Sequence, residues 1–581
     1  MPRPRALSVP TGDDSEFDVV VVGAGITGAG VARDAALRGL RVCLVEQHDL
    51  GSGTTWGSSG MIHGGLRYIE YDWETTRVSC LDGGYIKRIA PHLLFPVVFL
   101  LPIYPDDPFG IEKKETALEV YDRFQPYKAG RPHVRLNAEE ARRLEPGLRP
   151  GLVGAVTMDE WGVDSARLVA LNAIGAREAG AEVRTYTEVT GVVREGRNVR
   201  GVRVRSRLSG AEETIRAKVV CNAAGPWAPR LCEMARASLR LRPAKGVHLI
   251  YDRRISNCAL GVEAVDGRDL LLVPHANQTI LGTTDDDFYG DPEHLEVTED
   301  EVEYILQAFE RVFPSIRQHR IAHANAAIRP TLFGWRRYED DLSREYEVFD
   351  HGARDGVPGL VSIAGGKMSM FRKMAEDTVD VVLRVLGRAY VPCTTHTTPL
   401  PGGEGVVDVT EVAGNFGLPL PVAQRLVARH GARAEALLGD AEPEDRRAVL
   451  CECEPVTRAE LRHVVRTESV ERLEDLYRRV RCTGGACLGM RCAWPAARLL
   501  GEERGWTARQ VAGEVRDFLD ARWLQRPSVV RGATAAQEQL YRGAVYALGE
   551  VADPPPAGAD EPAPLPGAAA LAESRLLTAE H

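Results

Sequence analysis

Cys451, Cys453, Cys487 and Cys492 lie toward the C-terminal end as two close pairs, C-E-C and C-L-G-M-R-C, with about thirty residues between them. Four thiols so paired are soft ligands, and they suit an iron–sulfur cluster, with a tetrahedral zinc site as the alternative. C-x-C followed by C-x4-C is not a usual zinc-ribbon spacing, which favours iron. Cys482, five residues before Cys487, is not needed to complete the four. Far upstream, Gly23, Gly25 and Gly28 form G-x-G-x-x-G. The first glycine permits a tight turn, the second admits a pyrophosphate, and the third lets helix and strand pack closely. Glu46, eighteen residues beyond Gly28, is spaced to bind ribose hydroxyls. A dinucleotide and a one-electron centre in one chain point to an electron pair that is split and passed on.

These residues need elements to hold them. The apolar run at 19–22 predicts a strand into the glycine turn, then a helix over 29–38 and a second strand over 41–46. Backbone N–H groups at the start of that helix would face the phosphates. The small-residue stretch 52–65, with Ser58 and Ser59, lets backbone approach a ribityl chain and a flavin ring. A late strand, 218–222, enters Ala-Ala-Gly225, and Gly365-Gly366-Lys367 opens a late helix suited to the flavin pyrimidine edge. Together these favour FAD over NAD. Helices are expected at 136–144, 164–179 and 421–438, and strands at 201–206, 270–273 and 279–282. A strand–turn–helix unit is expected at 360–386.

At 581 residues the chain is too long for one core. A hydrophobic content of 44% with 27% charged residues is that of a globular protein. The formal net charge of −10 offers no general basic surface for nucleic acid, so cations for an anionic substrate must be concentrated locally. The first sixteen residues hold no apolar secretory run. The apolar stretch 93–104 is far short of a membrane span, contains Pro96 and Pro102, and reads as a buried strand. Eleven cysteines, six scattered through the first 400 residues, show no disulfide framework, so a cytoplasmic setting is expected, with contact to the membrane face.

The segments Ile62-His-Gly-Gly-Leu-Arg-Tyr68, Asn222-Ala-Ala-Gly-Pro-Trp227, Gly282-Thr-Thr-Asp285, Ile328-Arg-Pro330 and Gly365-Gly-Lys367 with Phe371-Arg-Lys373 carry a resemblance. Residues 17–401 resemble the FAD-dependent glycerol-3-phosphate dehydrogenases, of the glycine/D-amino-acid-oxidase-like superfamily. The paired cysteines resemble a bacterioferritin-associated-ferredoxin-like [2Fe-2S] domain, and the combination resembles the anaerobic A-subunit type. The resemblance implies an α/β fold: a Rossmann-like FAD-binding domain, an interleaved α+β substrate domain, and a mostly helical cluster-binding domain. The expected boundaries are a disordered leader at 1–16, the oxidoreductase at 17–398, a linker and helical segment at 399–445, and the cluster domain at 446–500. A helical segment at 501–552 and a disordered tail at 553–581 complete them. Gly60-Met61 lacks the lysine that aerobic members carry there, and Met368-Ser-Met-Phe371 replaces a Leu-Thr-Thr-Tyr type, losing hydroxyl contacts.

In this frame Arg67 and Arg329 are the expected phosphate ligands, through the bidentate guanidinium fork, with Tyr68 as a hydroxyl donor and Arg372 as a further candidate. His63, with His248 competing, is expected to accept the hydroxyl proton, since histidine titrates near neutrality. Lys367 is expected to stabilise negative charge at the N1–C2 edge of reduced flavin. The implied reaction is oxidation of sn-glycerol 3-phosphate to dihydroxyacetone phosphate, with electrons passing through the cluster to partner subunits and membrane quinone. Two other readings stay open: a related flavin dehydrogenase for a 2-hydroxy acid or amino acid, and a non-enzymatic electron-transfer module.

Overall fold

In the computed structural model the described residues are 16–548, apart from 70, 337–338 and 340–341. The expected leader, except for Glu16, and the expected tail at 553–581 lie outside them.

The opening strand Phe17–Val22 is Phe-Asp followed by four valines, β-branched and buried from Asp18 onward. It occupies the interior of a mainly parallel sheet. In order, its neighbours are Tyr346–Asp350, Leu360–Gly365, Glu212–Asn222, Phe17–Val22, Val42–Val45 and Glu182–Arg184. Only the first pair in that row is antiparallel. The sheet therefore draws strands from distant parts of the chain. A hairpin, Thr187–Glu195 with Asn198–Ser206, continues from the far end of Glu212–Asn222.

Helices Ile26–Leu37, Ser165–Glu178 and Phe371–Val385 cover one face and share its core with Val19, Val21 and Leu44. Ile26–Leu37 is rich in alanine and glycine, which brings it close to the late helix: a Cβ on Gly30 would lie 3.0 Å from the Phe371 ring. The expected helix at 29–38 begins three residues earlier, directly at the glycine turn. Ser165–Glu178 is capped by Asp164, whose carboxylate accepts from Arg167 N–H.

The second sheet has ten strands and is mostly antiparallel. Its centre pairs Leu241–Tyr251 with Gln278–Gly282 on one side and Ile321–Leu332 on the other. The apolar stretch expected as a buried strand is one, Leu94–Ile103, paired along its length with Gly154–Val163. The chain leaves the first sheet for the second and returns more than once, so the fold is the expected α/β one, a glycine-turn parallel-sheet domain interleaved with a second domain and followed by a largely helical C-terminal region.

That region holds Val409–Phe416, Leu420–His430 and Ala434–Gly439, then Arg458–Thr467, Asp475–Val480, Ala493–Arg504, Ala508–Leu524 and Gly532–Leu548. The proline- and glycine-rich stretch 399–405, which opens the expected linker and helical segment, is packed. Leu400 is buried, the Arg33 guanidinium donates to the carbonyls of Thr398 (2.7 Å) and Pro399 (3.1 Å), and Ala432 N–H donates to Gly402 O (2.9 Å). Proline and glycine there serve close backbone approach: a Cβ on Gly402 would lie 2.3 Å from His430 O. Buried ion pairs join the same region to the FAD-binding side. Asp49, after the second strand, accepts from Arg478 Nε (2.6 Å) and Arg479 Nη2 (2.6 Å), and Tyr186 donates to Asp475 (2.6 Å).

Candidate active site

Val22 delivers the chain into Gly23, whose N–H donates to Val45 O (2.9 Å) and whose φ of +98° is open to glycine. A Cβ on Gly23 would lie 2.8 Å from Ala223 O, so this turn is pressed against the Asn222–Trp227 segment. A Cβ on Gly28 would lie 1.9 Å from Gly23 O, which leaves no residue but glycine there. Gly25 meets nothing closer than Thr55 Oγ1 at 3.4 Å, and that hydroxyl accepts from Ile26 N–H (3.1 Å). The helix N-terminus thus opens onto free space.

That space is a cavity of about 980 Å³. Gly23, Gly25, Glu46, Ser58, Ser59, Gly225, Gly365, Gly366 and Lys367 line it, which brings together most of the expected cofactor residues. Gly28 is spent on packing. Glu46 accepts from the N–H groups of Ala24 (2.8 Å) and His48 (2.9 Å); burial raises its carboxyl pKa against those bonds. Ser58 donates to Thr55 O (2.9 Å), so its hydroxyl holds the loop. The residues fit FAD: a glycine cradle at a helix start, a carboxylate beside it, a small-residue stretch, and two buried donors, Trp227 Nε1 and Lys367 Nζ, with no hydrogen-bond partner among the described residues.

His63, Tyr68, His248, Arg329, Arg344 and Lys367 line the same cavity. The turn bearing His63 and Tyr68 is tightly packed: a Cβ on Gly64 would lie 2.2 Å from the Tyr121 hydroxyl, and one on Gly65 2.3 Å from the Tyr68 ring. Beneath it Lys128 Nζ and Glu160 form a fully buried pair at 2.6 Å. Arg67 lies with its guanidinium 5.0 Å from the Tyr68 ring centre, and Lys367 Nζ stands 4.8 Å from the same ring. Burial disfavours the Tyr68 phenolate, yet Arg67, Lys367 and Arg344 together hold the phenol below its usual range. Burial likewise lowers Lys367.

Burial, and then Lys367, Lys128 and Arg67, hold His63 well below the usual histidine range, so it is neutral, and a weak base while those cations go unbalanced. His248 is held to about 3 by burial and Arg329, and its Nε2 lies 2.9 Å from Ser59 Oγ. Arg329 is joined by a close ion pair to Asp285, and its Nη2 donates to Thr284 O (3.3 Å).

Arg344 is a site residue that the sequence does not flag. It is buried, 3.3 Å from Asp285 and 2.9 Å from Glu339, in an irregular segment with no local motif to mark it. Arg372 does not join this wall. Its guanidinium is tied to Asp82 (2.6 Å) and Glu376 (2.6 Å), which makes it a packing ion pair between the late helix and Trp73–Ile89 rather than a substrate ligand.

The cysteines converge as well. Cys451, from the short strand Val449–Cys451, and Cys492, at the start of Ala493–Arg504, are buried with Cys482, and the three sulfurs lie within 4.8 Å of one another. Cys487 is near enough to Cys492 and Cys453 for both to help lower its thiol pKa, to about 6. Arg481, Thr483 and Leu488 adopt left-handed backbone, which folds the loop back on itself. Cys482, set aside on spacing, thus sits beside two of the four expected ligands. A thiol set this close fits a metal or cluster.

A cavity between a glycine-turn parallel sheet and an interleaved, mostly antiparallel one, lined by residues of both, defines a two-domain flavoprotein oxidoreductase. Residues 18–369 match the family described as FAD dependent oxidoreductase, and residues 393–511 match the C-terminal domain of alpha-glycerophosphate oxidase. The A subunit of the anaerobic glycerol-3-phosphate dehydrogenase of Escherichia coli K12 is 38% identical over 92% of this chain and 96% of its own. A glycerol-3-phosphate dehydrogenase of Mycobacterium leprae is 34% identical over 89% of this chain and 90% of its own. The solved glycerol-3-phosphate dehydrogenase of Bacillus halodurans, complexed with FAD, superposes with a TM-score of 0.69 at 27% identity, covering 89% of this chain and 97% of that one. The chain belongs to the FAD-dependent glycerol-3-phosphate dehydrogenases, and within them it is like the anaerobic A-type chains.

Proposed function

We propose that the chain oxidises sn-glycerol 3-phosphate to dihydroxyacetone phosphate and passes the electrons through a [2Fe-2S] cluster toward partner subunits and membrane quinone. The observation that carries the reading is the meeting of Arg329, Lys367, Tyr68 and His63 in the cavity that also holds the glycine cradle.

Arg329 and Arg67 clamp the phosphate, and Asp285 fixes the Arg329 guanidinium so that little orientation remains to be lost on binding. Tyr68, its phenol acidified by the neighbouring cations, donates a hydrogen bond to the substrate. The neutral His63 imidazole accepts the hydroxyl proton. A bound phosphate dianion offsets Lys367, Lys128 and Arg67 and so makes His63 more basic once substrate is in place. FAD held in this cavity would supply the hydride acceptor. Lys367, an ammonium with no hydrogen bond among the described residues, would stand ready to balance negative charge there. Glu46 and Gly25 hold the adenosine and pyrophosphate ends.

At the cysteines, Cys451, Cys453, Cys487 and Cys492 are the proposed ligands, and a [2Fe-2S] group there supplies one-electron chemistry. Among the described residues no helix is long and apolar enough to cross a membrane; it is the proposed delivery of electrons to membrane quinone that would bring the chain to the cytoplasmic membrane face.

The test is anaerobic mixing of flavin-loaded protein with glycerol 3-phosphate, 2-hydroxy acids and amino acids. Glycerol 3-phosphate bleaches the flavin fastest; faster bleaching by a phosphate-free acid overturns the substrate. Iron with acid-labile sulfide is expected in the purified protein, and zinc without sulfide overturns the cluster.

A further inference from the structure

Trp56 lines the large cavity and also a second chamber of about 50 Å³, whose wall includes Tyr477. The two rings meet edge to face, with centroids 4.3 Å apart and planes at 81°. Tyr477 stands on the helix Asp475–Val480, in the C-terminal region, so this contact crosses from the FAD-binding side to the cysteine side.

On its other side the Tyr477 ring is covered by the cysteine loop. A Cβ on Gly484, between Cys482 and Cys487, would lie 1.8 Å from Tyr477 Cε2, and one on Gly485 would lie 2.3 Å from Cys453 Cβ. Two consecutive glycines therefore let one strand of backbone lie on the aromatic ring and against a cysteine at once. Backbone hydrogen bonds continue the link: Arg481 N–H donates to Tyr477 O (2.8 Å) and Gly484 N–H to Arg481 O (3.0 Å). The guanidinium groups of Arg481 and Arg522 lie 5.6 and 5.1 Å from the ring centre. Cations at that range make removal of an electron from the ring costlier. The ring is suited to carry electronic coupling without being oxidised itself.

We infer that Tyr477, packed between Trp56 and the Gly484–Gly485 turn, is the chain's electronic bridge from the cofactor cavity to the cysteine site. This rests on the reading that the two sites hold FAD and a [2Fe-2S] cluster. Oxidation of the alcohol delivers two electrons and two protons. The electrons leave one at a time: the first turns one ferric iron of the cluster ferrous, the cluster hands it to the quinone-linked partner acceptor and is re-oxidised, and the second follows by the same route, while the protons leave to water. Electronic coupling falls steeply across gaps and less steeply through packed and bonded atoms, so a ring in contact on both sides shortens the through-space part of the path.

The test uses the full-length, flavin- and cluster-containing protein and its Tyr477→Leu and Tyr477→Phe variants, mixed anaerobically with glycerol 3-phosphate. Flavin and cluster absorbance are followed separately, with the electron-spin signal of the reduced cluster as a check that its environment is intact. In Tyr477→Leu the flavin bleaches at the wild-type rate while cluster reduction slows by about tenfold or more; Tyr477→Phe restores it. Should Tyr477→Leu not take up a cluster, Tyr477→Met, which refills the volume without a ring, carries the same comparison. Cluster reduction at the wild-type rate in the ring-less variant overturns the bridge, and so does slowed flavin bleaching, which marks a role in the substrate site. Protein with flavin but no sulfide removes the underlying reading instead, an outcome distinct from both.

Discussion

Lys367 Nζ stands 4.8 Å from the centre of the Tyr68 ring, buried and with no hydrogen-bond partner among the described residues. A bare ammonium in a protein interior is costly unless a ligand completes it. It faces a cavity whose opposite residues fit a flavin, so its partner is supplied by binding.

Lys367→Met is expected to retain flavin and lose rate. Flavin reduction by glycerol 3-phosphate should slow by about 10²–10³, the usual cost of removing one preorganised charge-stabilising donor. Stopped-flow absorbance checks it. Because burial lowers the Lys367 pKa, its charge is lost as pH rises at values below those of an ordinary lysine. The alkaline limb of the wild-type rate profile should fall accordingly and vanish in the Met variant.

Arg329→Leu removes one arm of the proposed phosphate clamp and leaves Asp285 to Arg344. The expected result is a rise in KM for glycerol 3-phosphate of about tenfold to a hundredfold, with Arg329→Lys intermediate. Phosphate-free alcohols, which make no use of the clamp, should be affected least. An unchanged KM removes Arg329 from the phosphate site.

Stability should decline on acidification. Burial is the largest cause holding His248 and His323 to about 3 and His92 to about 4, with Arg329, Arg522 and Arg167 adding in turn. A histidine whose folded pKa is depressed contributes stability that is present above its unfolded value, about 6.5, and is lost as pH falls below it. Below that value the unfolded chain binds protons that the folded chain refuses. Each such group removes about 1.4 kcal/mol per pH unit on the way down. Thermal midpoints recorded between pH 7 and 5 should therefore drop, and His323→Gln should flatten the slope.

Asp49 pairs with Arg478 and Arg479 in a fully buried contact between the FAD-binding side and the cysteine-bearing region. Asp49→Ala leaves the buried Arg479 guanidinium with no carboxylate, while Arg478 keeps Glu474 and Asp475, at a cost of about 3–5 kcal/mol. A lowered thermal midpoint with early release of the C-terminal region to proteolysis is the expected outcome. An unchanged midpoint rules the contact out as a clasp.

Much of the local architecture was legible in the residues. Four valines before Gly23 make a buried strand, and Gly28 is required because any Cβ there strikes Gly23 O at 1.9 Å. Such constraints act within a few residues, so their signature is local. The same holds for the packed turn around Gly64 and Gly65, which sets Tyr68 beside the cavity.

What the tertiary structure alone decided concerns residues whose partners are far away in the chain. Arg372 carries the same guanidinium as Arg329, yet one meets Asp82 in a helix interface and the other opens on the cavity. Arg344 sits in no motif and reaches the site through Asp285 and Glu339. Cys482 joins Cys451 and Cys492 because left-handed backbone at Arg481 and Thr483 turns its loop inward. The 399–405 segment has the composition of a linker and the packing of a core element. Residue type states what a side chain can do; which charge, sulfur or ring it meets depends on how separated segments fold together.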